Sequence, residues 1–331
     1  MPVSLVFALI AAAVAALTPL AMTYAAHRGL FDVAGPRRSH EGAIPRGGGV
    51  VATLALIAGW FVLSPAISAV PAAAALLIVG LVGWIDDHRP LSAVLRLAIQ
   101  AAAVLLLLFS WWGYSVLSWP ATLPGVFAVI LALASPVLAV GLINAWNFMD
   151  GSHGLAAGEA LFVGAACLLL WPPETAVAAA GGVMAAAALG FLPWNFPRPR
   201  VFMGDVASLA FGLQAAYLVL LAGWPGGLAV LLLTLGFAVD TGMTLLLRLA
   251  RRADWSASHR EHLYQRLLQH GFSHTAVWFF LMALNVVLLL PLAVLANARP
   301  QYTVAIFLGA ASLLAALWMV AVRRLPIVTD G

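Results

Sequence analysis

Five short stretches of the chain hold most of the side chains able to do chemistry. Asp86 and Asp87 are adjacent at the end of an apolar run. Like charges this close raise one pKa, which suits a general base or a shared cation. The plainer reading is a solvated helix end, but an aspartate pair at a helix C-terminus opposes the helix dipole. Asn144, Asn147, Asp150 and His153 follow, with no arginine among them. That points to ligand polar groups or a cation rather than to anchoring. Asp205 opens another apolar run behind Phe202-Met203-Gly204. It reads as an N-cap or as an inward Mg²⁺ ligand. Phe202 reads as apolar core or as a platform for a stacked base. His259 and His262 are three residues apart, so on a helix they would share a face with Arg266, forming a diphosphate clamp. A zinc site is less favoured, because HxxH lacks a third ligand and is not HExxH. His270 and His274 read as interface residues.

Arg46 precedes Gly47-Gly48-Gly49 and follows a segment with Arg28, Arg37 and Arg38. Glycine backbone beside arginine can approach phosphate closely. Composition alone favours plain anchoring plus glycines for helix packing. Gly47-x-Gly49-x-x-Ala52 mimics a dinucleotide fingerprint, but it opens a membrane span and follows no strand, which excludes it. Taken together, about five carboxylates, three amide or histidine groups and several arginines are the equipment of metal-assisted phosphoryl transfer.

The elements that must position these residues are membrane helices. Of the 331 residues, 64% are apolar and 8% charged, and the mean hydropathy is +1.03. Both a water-soluble domain and disorder are excluded. A spanning helix takes about 20 residues. Eleven apolar runs are predicted, at roughly 3–26, 48–66, 67–85, 91–111, 121–143, 155–171, 175–194, 206–222, 226–247, 275–296 and 302–322. The first lacks a basic n-region and its basic flank follows it, so it reads as a retained span rather than a signal peptide.

Eleven spans put all 16 arginines except Arg299 on one face, in the loops after odd-numbered spans and in the tail. The positive-inside rule makes that face cytoplasmic, with the N-terminus outside and the C-terminus inside. Most of the acids share that face, and only Glu174 lies on the other. Outer turns such as Trp111–Pro120 and Trp171–Glu174 read as aromatic-belt anchors. A transporter more often carries ionisable groups at mid-depth and paired broken helices in two repeats, and the chain shows no such repeat.

Several chemistries are excluded. The basic residues are all arginine, so there is no P-loop and no Schiff-base lysine. Cys167 is the only cysteine, so there is no disulfide framework and no cysteine zinc site. A formal charge of +4 does not argue for nucleic acid.

In order along nearly the whole chain, the motifs are Pro45-Arg46-Gly47-Gly48, Asp86-Asp87, Asn144-x-x-Asn147-x-x-Asp150-Gly151, Phe202-Met203-Gly204-Asp205 and His259-Arg260-x-His262. The set resembles the polyprenyl-phosphate N-acetylhexosamine-1-phosphate transferases. The histidine loop is similar to the branch that starts O-antigen or other surface-glycan synthesis, not to the triple-histidine loop of the peptidoglycan enzyme. The resemblance implies a single all-α polytopic transferase domain over residues 1–331, in the bacterial inner membrane, with its active site on the cytoplasmic face. It implies attack by undecaprenyl phosphate on a UDP-N-acetyl-sugar with release of UMP, and Mg²⁺ as cofactor with Mn²⁺ as an alternative.

By carry-over, Asp86 or Asp87 would activate the lipid phosphate. Asp205 would bind the metal. Asn144, Asn147 and Asp150 would line the nucleotide-sugar and metal site, Asp150 as a second metal contact. Phe202 would stack on uracil, and His259, Arg260 and His262 would contact diphosphate or sugar, with Arg46 beside them. There are two departures from the family pattern. His153 stands where a second aspartate is usual, and Ala207 stands where glycine is common. The first bears on a sugar or metal contact and alone favours an inactive scaffold. A lipid-linked-sugar flippase is the other alternative. A CDP-alcohol phosphotransferase is disfavoured, because there is no DGxxAR run. Gly- and Ala-rich faces permit a homodimer.

Overall fold

The computed structural model describes residues 2–33, 43–63, 69–115, 125–254, 257 and 259–327. Arg37, Arg38 and His40 of the first loop, and part of the Trp111–Pro120 turn, lie outside them. The chain forms thirteen α-helices among the described residues: α1 Val3–His27, α2 Val50–Leu63, α3 Ala69–His88, α4 Ala93–Ser115, α5 Gly125–Met149, α6 Leu155–Leu170, α7 Ala176–Asn195, α8 Asp205–Leu233, α9 Leu235–Ala250, α10 Leu263–Gln269, α11 His274–Leu284, α12 Leu290–Ala298 and α13 Thr303–Arg324. Runs of Ala, Leu and Val, with few polar residues inside them, pair most of their backbone groups within the helix. In hydrocarbon that is a requirement.

Six of these helical segments are long and apolar enough to cross a membrane, and four shorter apolar helices lie among them. Exposed side chains on several helices are apolar, for example Leu133 at 71% and Val287 at 75%. The chain is therefore a multi-pass membrane protein whose outer faces suit lipid.

The structure departs from the eleven expected runs: six helical segments have spanning length among the described residues, and the run at 275–296 is α11, a π-helical turn at Asn285–Leu289 and α12. The run at 226–247 is not one helix. α8 kinks at Gly223 (φ 61°) and Trp224, continues to Leu233, and gives way at Thr234 to α9. A glycine at positive φ followed closely by Pro225 breaks the axis, at the point where the expected runs 206–222 and 226–247 part, whereas the break at Thr234 falls inside an expected run. The inner face of α9 is polar, with Asp240, Thr241, Thr244 and Arg248 buried. Nor is the structure purely helical. Phe31–Val33 (β1) and Ala43–Pro45 (β2) pair antiparallel, with Asp32 opposite Ile44.

α8 is the axis of the bundle. Its residues from Val206 to Leu218 are all buried. Glycines let neighbours approach it. A Cβ at Gly83 of α3 would overlap the Asp205 backbone carbonyl, and one at Gly212 would meet the α5 backbone at 2.6 Å. Gly83→Ala should therefore force α3 from α8 and cost about 1–3 kcal/mol. It should lower the melting temperature in detergent, and an unchanged melt would contradict the close approach.

Candidate active site

The site is built at one end of the bundle, where α3 and α5 finish and α8 begins. Its foundation is Asp87, whose side chain is 1% exposed. The carboxylate accepts from Asp205 N at 3.1 Å and Val206 N at 3.2 Å. It thus caps α8 from another helix, satisfying two of the amides that every helix start leaves open. Asp87 also accepts from Arg46 Nε at 2.8 Å. Asp86 accepts from Leu91 N at 2.6 Å and from Arg96 Nη1 at 3.1 Å. The same Nη1 lies 3.1 Å from Asp205 Oδ2.

Gly204 makes this junction possible. It sits at φ +77°, and a Cβ there would come within 2.9 Å of Gly47 Cα. The two loops lie alongside each other: Phe202 N donates to Pro45 O at 2.8 Å and Gly48 N to Phe202 O at 3.0 Å. This pairing brings Arg46 and Phe202 to the same rim.

In front of this foundation is a cavity of about 750 Å³. Ten of the twelve site residues expected from sequence line it: Arg46, Asn144, Asn147, Asp150, His153, Phe202, Asp205, His259, Arg260 and His262. Asp86 and Asp87 do not. They stand behind the wall, and the structure brings them to bear through Arg96, Arg46 and the start of α8. Asp205 does not cap its own helix. The N-cap residue is Gly204, which leaves the Asp205 carboxylate on the cavity. Asn147 Nδ2 donates to Ser208 Oγ at 3.2 Å. Withdrawal from water, and then the charges of Asp205 and Asp87, hold the Asp150 carboxyl well above the usual carboxylate range.

Charge decides whether a cation fits here. Four carboxyls, Asp86, Asp87, Asp150 and Asp205, crowd against two guanidiniums, Arg46 and Arg96, and a bound cation would relieve the crowding that, after burial, raises the Asp150 carboxyl. Among the described residues no three His, Cys, Asp or Glu side chains gather as a preformed cage. Mg²⁺ needs no such cage, since it keeps several waters and takes one or two carboxylates. Asp205 and Asp150 fit it.

One side of the cavity is aromatic and imidazole. Phe148 and His262 stack with centroids 5.6 Å apart, and His259 lies 5.0 Å from His262. The expected face shared by His259, His262 and Arg266 does not form. Helix α10 starts only at Leu263, and His262 is its N-cap. Arg266 points elsewhere, donating to Glu261 O at 2.8 Å and Leu325 O at 3.1 Å. Burial and the neighbouring His262 push the His259 imidazole down to about 4, so it meets ligand as a neutral ring at neutral pH. Positive charge on this side comes from Arg260.

His153 stacks on His274, centroids 3.9 Å apart at 7°, and faces Phe202 at 5.9 Å. His274 Nδ1 lies 2.9 Å from Ser152 Oγ. His274 therefore braces the site rather than sitting at an outer interface. Arg96 and Tyr264 also line the cavity, and sequence reasoning missed both. Tyr264 OH donates to Phe148 O at 2.9 Å. Asp240 accepts from Leu263 N at 2.7 Å and from Trp318 Nε1 at 2.9 Å, tying α10 to α9 and α13. Arg96 lies ten residues beyond Asp86, in the first turn of α4, and a search for a guanidinium on the helix after the acidic pair would have found it.

The cavity lining also includes apolar side chains, Leu97, Val137, Val140 and Leu245. Val137 is 74% exposed.

Comparison with known proteins gives concordant matches. A family model described as glycosyl transferase family 4 covers residues 69–223. The decaprenyl-phosphate N-acetylglucosaminephosphotransferase of Mycobacterium tuberculosis H37Rv is 32% identical over 85% of this chain and 80% of its own length. A probable undecaprenyl-phosphate N-acetylglucosaminyl 1-phosphate transferase of Bacillus subtilis is 29% identical over 78% of this chain and 75% of its own. The phospho-N-acetylmuramoyl-pentapeptide-transferase of Moorella thermoacetica is 35% identical over 56% of this chain and 64% of its own.

Proposed function

This chain belongs to the polyprenyl-phosphate N-acetylhexosamine-1-phosphate transferases, and on that premise we propose that it moves an N-acetylhexosamine 1-phosphate from a UDP-sugar to undecaprenyl phosphate. The observation that carries the reading is the mixed polar and apolar lining of the cavity. Arg46, Asp150, Asp205 and Arg260 line it together with the apolar Leu97, Val137, Val140 and Leu245. A water-soluble diphosphate and an isoprenoid phosphate need such a site if they are to meet.

An oxygen of the lipid phosphate attacks the β-phosphorus of the UDP-sugar. The bond from that phosphorus to the bridging oxygen breaks, UMP leaves with the oxygen, and undecaprenyl-diphospho-sugar forms. A phosphate monoester has its second pKa near ~6, so the attacking oxygen is already largely ionised at neutral pH. Little proton removal is required. Asp86 and Asp87 then act by positioning Arg96, Arg46 and the first turn of α8. Phe202 offers a face to the uracil. Arg46 and Arg260 hold phosphate oxygens, while His259 and His262 contribute neutral hydrogen-bonding groups. Asp205 and Asp150 would hold Mg²⁺, with Mn²⁺ as an alternative, and the ion would neutralise charge on the diphosphate. The side of the membrane follows from the arginine distribution: cytoplasmic site, outer N-terminus, inner C-terminus, in the inner membrane of a bacterium. The product would begin a surface polysaccharide such as O-antigen.

The test is UMP release by purified protein with undecaprenyl phosphate, Mg²⁺ and UDP-N-acetylglucosamine, the sugar in the relatives' names, alongside other UDP-N-acetylhexosamines. The expected result is release that needs both the lipid and the divalent ion and stops with EDTA. A folded preparation that releases no UMP from any of these donors overturns the reading.

A further inference from the structure

We propose that Gln100 is a positioning residue that turns the Asn144 carbonyl oxygen into the cavity, as an acceptor for a hydroxyl or N–H group of the nucleotide-sugar. The proposal rests on the transferase reading above and adds a contact to it. Gln100 lies on α4 and is 1% exposed, a polar amide in an otherwise apolar stretch. Asn144 lies on α5 and lines the cavity. Asn144 Nδ2 donates to Gln100 Oε1 at 2.7 Å and to Val140 O, one turn back, at 2.8 Å.

These two bonds use both hydrogens of the Asn144 amide. The orientation of the amide is not arbitrary. Val140 O is a backbone carbonyl and can only accept, so the nitrogen must face it. Gln100 must then present its oxygen. Asn144 Oδ1 is left over, and among the described residues no protein donor is recorded for it. Val140, Gly141 and Leu97 line the cavity beside Asn144. Asn144 is half-buried, so its carbonyl oxygen is open to the cavity as an acceptor, and a bound ligand that brings a donor to this point gains a hydrogen bond.

The chemistry of the two substrates identifies which one does so. The ionised lipid phosphate has only acceptor oxygens, and its isoprenoid chain has no polar group. The nucleotide-sugar has ribose and hexose hydroxyls, an acetamido N–H and a uracil N–H. Arg96, the nearest guanidinium in sequence, is engaged by Asp86 and Asp205. The donor therefore belongs to the nucleotide-sugar. In the absence of Gln100 the Asn144 side chain can rotate, and the cavity then meets a mixture of oxygen and nitrogen.

The experiment compares Gln100→Met with Gln100→Glu. Methionine matches the length of glutamine and suits an apolar span, but removes the acceptor. Glutamate keeps an acceptor for Nδ2 whether or not it is protonated, yet it is the worse residue for that span. A purely structural role predicts that methionine is the better tolerated. Positioning predicts the reverse. Gln100→Met should raise KM for UDP-N-acetylglucosamine about tenfold. KM for undecaprenyl phosphate and the Mg²⁺ concentration giving half-maximal rate should not move. Gln100→Glu should stay within about threefold of wild type, since one hydrogen-bond acceptor replaces another. An unchanged nucleotide-sugar KM in Gln100→Met, a change confined to the lipid, or a shifted Mg²⁺ requirement each overturns the proposal, the last by assigning Asn144 to the ion. If Gln100→Met does not fold, Gln100→Leu takes its place. A tenfold rise in a folded Gln100→Glu overturns the proposal whatever the other variants do. A wild type that releases no UMP overturns the transferase reading and this contact with it. An active wild type matched by Gln100→Met overturns this contact alone.

Discussion

Asp205→Asn is expected to reduce UMP release by about 10²–10³-fold or more, the scale of losing one electrostatic stabiliser of a transition state, while the protein still folds. The fold survives because Asp205 supports α8 through its backbone N–H, which Asp87 holds at 3.1 Å. Asparagine has the same shape and keeps that N–H. Arg96 loses one charged partner and retains Asp86. What changes is the charge on the cavity, which loses one ionisable carboxyl. Affinity for a divalent cation should fall with it. UMP release across a Mg²⁺ titration checks the rate, and a detergent melt checks the fold. Turnover within tenfold of wild type, from folded protein, would remove Asp205 from the chemistry.

Asp87→Ala is expected to act differently, through stability first. Truncation leaves the Arg46 guanidinium and the amides of Asp205 and Val206 without their acceptor. Breaking a buried ion pair from one side costs about 3–5 kcal/mol. Arg46 is 35% exposed and recovers some water, so the expected loss is near the lower end, ~3 kcal/mol. The melting temperature should drop clearly, and activity should fall with the folded fraction. Asp87→Asn, which keeps one acceptor oxygen, should lose less stability. If both variants melt like wild type and yet are inactive, Asp87 is a group that touches the substrate, and its place behind the wall is the wrong guide to its role.

Much of the site was legible in the chain because its residues are polar and stand at the ends of apolar runs. In a chain with 8% charged residues, each such group is conspicuous, and ten of them line one cavity. Distance along the chain hid the others. Arg96 meets Asp205 across 109 positions and Tyr264 meets Phe148 across 116, and no local pattern links them. The histidine loop failed for a local reason. Spacing of three residues implies a shared face only inside a helix, and α10 begins one residue after His262. The break at Thr234 was hidden because hydropathy measures how apolar a run is, not whether it stays straight. The short β1–β2 pair falls where the chain was read for phosphate-binding glycines rather than for strands.

Val137, at 74% exposure, and Leu245, at 41%, are exposed apolar side chains of α5 and α9 that also line the cavity, an entry suited to the proposed lipid acceptor. An acceptor entering there arrives by two-dimensional diffusion within one leaflet. Its effective concentration is a mole fraction of the surrounding amphiphile rather than a molarity. Inert detergent dilutes it even when the moles per litre of assay stay fixed. The water-soluble donor is not diluted in this way. Two preparations that differ only in micelle content will therefore agree on the affinity for one substrate and disagree on the other.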